Sequence, residues 1–235
     1  IHDTLDELYK DHINEFLTID HIDHMIKNYK SLVTKYFIKY FKNGDVTTGK
    51  NRLVFEVSNR FVKRFLSMEK KVLQEGHTVK ILGAELKLET FINVPGIDFP
   101  IKIRGVVDRI DEFDGVTRII DYKTGKVNPA DLKVLSFEEI NEVKYSKAIQ
   151  VLLYAFLYCQ NNSLAKEQPL VAGIISFKNL KAGLLKINFS SKIKNPEHMI
   201  TEEKLDDFIN QISLLLQEIY NPEITFKEPK KLKFH

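Results

Sequence analysis

The chain has one cysteine, Cys159, in 235 residues. It therefore cannot close an internal disulfide, and it cannot supply a cysteine-ligated zinc or iron–sulfur cluster. A lone thiol fits a reducing, cytoplasmic setting. No apolar run reaches the roughly 20 residues that cross a bilayer, and no segment is patterned as a signal peptide. Internal repeats and low-complexity stretches are also lacking. Charge of one sign is scarce in excess: 35 Lys and Arg against 32 Asp and Glu leave +3, a weak lean towards anionic partners. The one concentrated basic run is residues 227–233. What remains is 43% hydrophobic, ordinary for a globular chain and enough for one large core or two small ones.

The most informative stretch is residues 105–125. Apolar and β-branched residues fill two arms around Asp114-Gly115, the dipeptide that best tolerates the positive φ angles of a type I′ hairpin turn. With a two-residue loop, Phe113 faces Val116, and counting back puts Asp108 opposite Asp121. Directly opposed side chains have Cβ atoms about 4.5–5.5 Å apart. Strand alternation returns Lys123 to the same face. Two opposed carboxylates destabilise a sheet unless something uses them. A hard divalent cation reverses the sign of that interaction, and a compact lysine cation beside it can hold a phosphate oxygen or steer a water. Together these are the parts for phosphodiester hydrolysis. A surface hairpin whose Asp and Lys residues are solvated or paired as ordinary salt bridges accounts for the same pattern without chemistry.

The run Gly105-Val-Val-Asp108 followed by Asp121-Tyr-Lys123-Thr-Gly resembles the PD-(D/E)XK nuclease superfamily, in the branch of the RecB and AddB nuclease domains. Gln150-Val-Leu-Leu-Tyr154 is similar to that branch's Gln-x-x-x-Tyr helix motif, and His2 with the stretch to Tyr9 is similar to its upstream His motif. The resemblance implies an α/β restriction-endonuclease-like core, with a mixed sheet flanked by helices and a helical N-terminal region. It implies Asp108, Asp121 and Lys123 as catalytic residues, and His2, Asp108, Asp121 and the Tyr122 carbonyl as ligands of Mg²⁺ or Mn²⁺. Gln150 and Tyr154, with Lys147 on the same helix face, would position DNA, with single-stranded DNA as a candidate. Glu85 is a candidate further acid, or an outward-facing charge on an alternating strand. Exonuclease action in repair or recombination, beside a helicase-like module or partner subunit, follows from the resemblance alone. Some RecB-like nucleases carry an iron–sulfur staple, which the single cysteine excludes here.

Apolar periodicity predicts helices over 3–17, 20–42, 50–74 and 145–160, and a helix over 201–220 opened by Thr201. Strands are predicted over 79–94, 99–112, 116–124, 170–177 and 184–189, with a loop over 125–144 that could serve as a flexible entrance or threading element. Basic and aromatic residues interleave at Lys35, Tyr36, Lys39, Tyr40, Phe41 and Lys42, a pattern we read as a buried stripe beside a solvated face. Arg60, Lys63, Arg64, Lys70 and Lys71 lie off the apolar stripe of their helix, as a contact surface for a nucleic-acid backbone or a solvated face. His21 and His24 are read as surface helix residues without a role. The tail after residue 222 is basic and expected to be loosely ordered.

We read residues 1–235 as one nuclease domain, mainly helical over 1–75 and sheet-containing over 76–235. The absence of an initiator Met at Ile1 suggests the C-terminal fragment of a longer protein. The alternative is a catalytically idle DNA-binding or scaffolding module that keeps the fold. A hydrolase of another phosphate ester is a third reading.

Overall fold

The structure, a computed structural model, describes residues 1–41, 45–162, 168–192 and 194–226. Its centre is a five-stranded sheet, β1 (Val79–Ile92), β2 (Ile101–Phe113), β3 (Val116–Lys123), β4 (Leu170–Ser176) and β5 (Leu184–Lys186), in that spatial order. The first three strands form an antiparallel meander and β5 returns antiparallel to β4. Only β3 and β4 run parallel. A parallel pair needs a crossover, which α4 (Ser146–Asn161) supplies.

The hairpin turn is as expected. Asp114 and Gly115 have φ of 49° and 81°, and Phe113 pairs with Val116. The β2–β3 ladder runs back to Arg109 and Ile120. One step further, where Asp108 meets Asp121, regular pairing stops. There Asp108 Oδ2 accepts the Tyr122 backbone N–H at 2.6 Å.

Helices cover both faces. The remaining helices are α1 (His2–Tyr9), α2 (Ile19–Tyr40), α3 (Gly49–Gln74) and α5 (Glu202–Tyr220). One core joins α4 and α5 to the sheet through Ile110, Ile119, Ile174, Leu152 and Phe208. The other joins α1, α2 and α3 through Leu5, Ile22, Phe65, Ile120 and Tyr122. Burying each such side chain contributes about 1.5–3 kcal/mol. Acids of α1 bind the basic-aromatic stretch of α2: Glu7 takes Lys35 and the Tyr36 hydroxyl, and Asp3 takes the Tyr40 hydroxyl. Lys42, the Asn43-Gly44 dipeptide, whose sequence predicts a turn, and the basic run 227–233 lie outside the described residues.

Behind the hairpin sits a buried ion network. Arg109, 1% exposed, bonds Glu69 of α3 at 2.8 Å and lies 2.7 Å from Asp111. Arg118 grips the same Asp111 with two nitrogens, at 2.6 and 2.8 Å. Tyr9 of α1 donates to Glu69, and the Arg109 guanidinium lies over its ring at 4.7 Å. The two arginines hold the Asp111 carboxyl below its usual range despite complete burial.

Two expectations are corrected. The helix over 3–17 stops at Tyr9, followed by a 3₁₀ turn over Lys10–His12. The chain then extends as an elbow, with Asn14 at φ 66°, and docks on the edge of β1. Asn14 N–H donates to Ile81 O, Ile81 N–H to Glu15 O and Leu17 N–H to Val79 O. An edge strand's unpaired backbone groups outcompete continuation of the helix. The last strand stops at Lys186 instead of residue 189, because Asn188 leaves the sheet to exchange backbone bonds with Leu132 and Val134. The segment 125–144 is a loop, as expected, pinned by a 3₁₀ turn over Pro129–Leu132 and by Leu132, Val134 and Ile140 in the core, while Leu135 and Val143 are exposed.

Among the described residues, no helix is long and apolar enough to cross a membrane.

Candidate active site

The site forms where the sheet departs from regularity. On β1, the pairs Ala84–Arg109 and Leu86–Val107 flank Glu85 and Asp108, which face each other between them. Glu85 has φ of 43°, rare for a residue with a side chain. Such backbone strain costs of order 1–3 kcal/mol and persists only where the surroundings enforce it. Here the β1–β2 pairs on either side of Glu85, Ala84–Arg109 and Leu86–Val107, hold it in place.

His2, the first residue of α1, reaches the same place. Its Nε2 is 3.0 Å from the Tyr122 carbonyl oxygen and 3.9 Å from Asp108 Oδ2. One ligand atom from each of His2, Glu85 and Asp108 lies within 4.8 Å of the others. The Glu85 carboxyl is raised above its ordinary range by burial and by the Asp108 charge, with His2 opposing. Tyr122 sends its side chain into the opposite core, against Phe65 and Phe177, with its ring 6.2 Å from that of His2, and presents its backbone carbonyl to the site.

Asp121 stands beside this trio and is 2% exposed. Burial pushes its carboxyl up to about 6, and the Asp108 charge adds to that, while Lys123 opposes. Lys123 Nζ lies 3.1 Å from Asp121 Oδ1 and 3.0 Å from Oδ2. The same ammonium donates to Gln150 Oε1 at 2.8 Å, and Gln150 Nε2 donates to the Tyr154 hydroxyl at 2.9 Å. A relay from Asp121 to Tyr154 thus runs from β3 onto α4. The Tyr154 ring lies against Gly105, where a Cβ would come 2.9 Å from its Cε1. The glycine of the sequence motif therefore makes room for the tyrosine of the helix motif.

Of the residues singled out in the sequence, His2, Asp108, Asp121, Tyr122, Lys123, Gln150 and Tyr154 converge. Glu85 joins them and completes the trio of potential ligands. Lys147 does not: its ammonium pairs with Asp131 at 3.0 Å, on the packed 3₁₀ turn. The arrangement fits a divalent cation. Two carboxylates, an imidazole and a backbone carbonyl converge as hard or borderline donors, with no sulfur ligand. Two of them are acids held against each other's charge.

Comparison with known proteins bears on the family of the chain. The family model of the PD-(D/E)XK nuclease superfamily matches residues 1–231. No curated protein and no solved structure gives a significant match.

Proposed function

The chain belongs to the PD-(D/E)XK nuclease superfamily, and from that premise we propose that it is a Mg²⁺- or Mn²⁺-dependent deoxyribonuclease working at His2, Glu85, Asp108, Asp121 and Lys123. The observation that carries the reading is the meeting of His2, Glu85 and Asp108 within 4.8 Å, beside a lysine held by Asp121. His2, Glu85 and Asp108 would hold the cation, with Asp121 and the Tyr122 carbonyl adjoining. When bound, such an ion polarises a phosphoryl oxygen and lowers the pKa of a bound water.

The other roles belong to the chain itself. An ammonium has three donors. Asp121 and Gln150 occupy two of those on Lys123, which leaves one for the attacking water or a phosphate oxygen. Aimed in advance, that donor stabilises the charge that builds on the phosphate. Asp121 and Gln150 act through Lys123 by fixing its direction. The Tyr154 hydroxyl accepts from Gln150 and keeps its own proton for a strand of nucleic acid. Lys147 would reach a backbone phosphate only by leaving Asp131.

DNA as substrate is favoured by the Gln150–Tyr154 pair at the site's edge. Exonuclease action in repair or recombination, beside a helicase-like module, rests on resemblance to the RecB and AddB domains. Residues 1–75 and 76–235 would act as one domain, because His2 comes from the first part and Glu85 and Asp108 from the second.

The test is calorimetric binding of Mg²⁺ or Mn²⁺ to the wild type and Asp108→Ala, with cleavage of end-labelled DNA in the same samples. The reading requires metal-dependent cleavage that Asp108→Ala abolishes together with binding. Absence of metal binding by the wild type overturns it.

A further inference from the structure

A second set of ligating side chains meets at the end of the α1 segment away from His2. His12 closes the 3₁₀ turn, Glu15 lies in the elbow and His21 sits in the first turns of α2. One ligand atom of each lies within 4.8 Å of the others. His12 Nδ1 and Glu15 Oε2 are 3.3 Å apart. Two ligands 2.0–2.1 Å from a tetrahedral zinc ion stand about 3.3 Å apart. The His12 and His21 rings are stacked, with centroids 4.3 Å apart and planes at 28°. His21 Nδ1 is buried without a hydrogen-bond partner. His24, one turn on, is turned to Asn28 instead.

A His12–Glu15 ion pair would explain two of these groups. It does not explain the buried nitrogen of the second imidazole, which has lost its water and gained no partner. The nuclease centre uses none of the three, and they form a group separate from His2, Glu85 and Asp108.

We propose that His12, Glu15 and His21 form a second metal site, which takes a transition-metal ion of the Zn²⁺ class and ties the elbow to α2. Two imidazoles and one carboxylate select Zn²⁺, Ni²⁺ or Cu²⁺ over Mg²⁺, whose preference is for oxygen ligands. Three protein ligands leave a fourth position for water, and the Glu15 side chain, 57% exposed, keeps the site open to solvent. The backbone on either side is already anchored: Asn14 and Leu17 donate to β1 at 2.7 and 2.8 Å, and the Thr18 hydroxyl caps α2 by accepting the His21 N–H. An ion bridging the turn, the elbow and α2 would restrain the one irregular joint between α1, which carries His2, and the rest of the helical layer. Its role is structural, and it acts on the nuclease centre only through the placing of α1.

The test uses the whole chain, with Zn²⁺ alone in thermal unfolding and Co²⁺ as a visible probe of coordination. Asp108→Ala serves as background, so that the nuclease centre does not contribute. In that background, one equivalent of Co²⁺ should give the intense visible bands of a four-coordinate site. Zn²⁺ at about a hundred times its Kd should raise Tm by roughly 5–10 °C. Adding Glu15→Gln or His21→Ala should weaken binding at least about tenfold, as a lost ligand does even when it is only a supporting one. Glu15→Gln changes an exposed side chain, so its metal-free Tm should stay at the background value and separate lost binding from lost folding. Unchanged Co²⁺ bands and Zn²⁺ stabilisation in both added variants would overturn the proposal. So would loss of all Zn²⁺ binding from Asp108→Ala alone, an outcome that leaves the nuclease reading standing.

Discussion

Lys123 of β3 donates to Gln150 Oε1 of α4 at 2.8 Å, so the aim of the proposed catalytic ammonium is set partly by a residue 27 positions away. Gln150→Leu keeps the side chain's bulk and removes that acceptor. Lys123 then falls back on Asp121 alone. Transition-state stabilisation by one misaimed donor falls by about 2.7–4 kcal/mol in comparable sites, so kcat should drop on the order of 100-fold. Metal affinity should stay within about threefold, because no ligand is touched. Single-turnover cleavage and calorimetry on the same variant separate the two effects. Loss of metal binding would show that Gln150 holds the trio itself.

Gly105 and Tyr154 make a paired prediction. A methyl at position 105 would stand 2.9 Å from Tyr154 Cε1, and the ring has to move. Overpacking of this kind costs about 1–3 kcal/mol. Gly105→Ala should lower Tm accordingly and weaken DNA binding by displacing the Tyr154 hydroxyl. In Tyr154→Ala the crowding that remains is the Leu157 Cδ1 at 3.3 Å, the end of a flexible side chain, so adding Gly105→Ala should cost much less. A double-mutant cycle by denaturant unfolding reads the coupling, and additive effects would mean that the ring does not rest on the glycine.

How much of this was legible in the sequence depends on whether the determinant was local. Asp114-Gly115 was, because the positive φ angles of the turn select those two residues, and counting from it leads to Asp108 and Asp121 one step past the last regular pair, Arg109–Ile120. Glu85 was undecidable between an active-site acid and an outward charge. Its place depends on the β1–β2 register, which shifts between Ile81 and Gly83 and is set by no tight turn. The left-handed backbone at Glu85 has no sequence signal either.

Elsewhere the misleading information came from distant partners. Ile13 and Leu17 continue the helical stripe of α1, yet the backbone there pairs with the edge of β1, more than 60 residues on. Lys147 has the helical spacing to join Gln150 and Tyr154, but Asp131 on a neighbouring turn takes its charge. His21 is on the first turn of α2, as read, and its nearness to His12 and Glu15 comes from a bend that the periodicity does not reveal.

The buried network behind the hairpin carries a stability prediction. Arg109→Ala leaves Glu69 and part of Asp111 uncompensated in the core. Removing one partner of a buried pair costs about 3–5 kcal/mol. For a chain of this size that is a Tm lower by on the order of 10 °C. Replacing both partners, in Arg109→Met with Glu69→Leu, should recover most of the loss, because the unpaired charge is then gone. Thermal unfolding of the two variants checks the order, and equal losses would place the cost in packing.

Asp121 should trade stability for function. Its folded carboxyl lies at about 6, mainly through burial, while an unfolded Asp titrates near 3.9. The folded state therefore binds the proton more tightly. The associated stability is complete below about pH 3.9 and is lost as pH rises through about 6. Above that, a buried carboxylate with Asp108 beside it is retained against the preference of the fold. In metal-free protein, Asp121→Asn should match the wild type near pH 4 and exceed it by about 1–3 kcal/mol at pH 8, two pKa units being worth about 2.7 kcal/mol before Lys123 is considered. The same variant should cleave no DNA. Thermal unfolding from pH 4 to 8 in a chelator, with cleavage measured at pH 8, tests both halves. If Asp121→Asn is the less stable at every pH, the ion pair with Lys123 outweighs burial, and Asp121 is a structural anchor before it is a catalytic one.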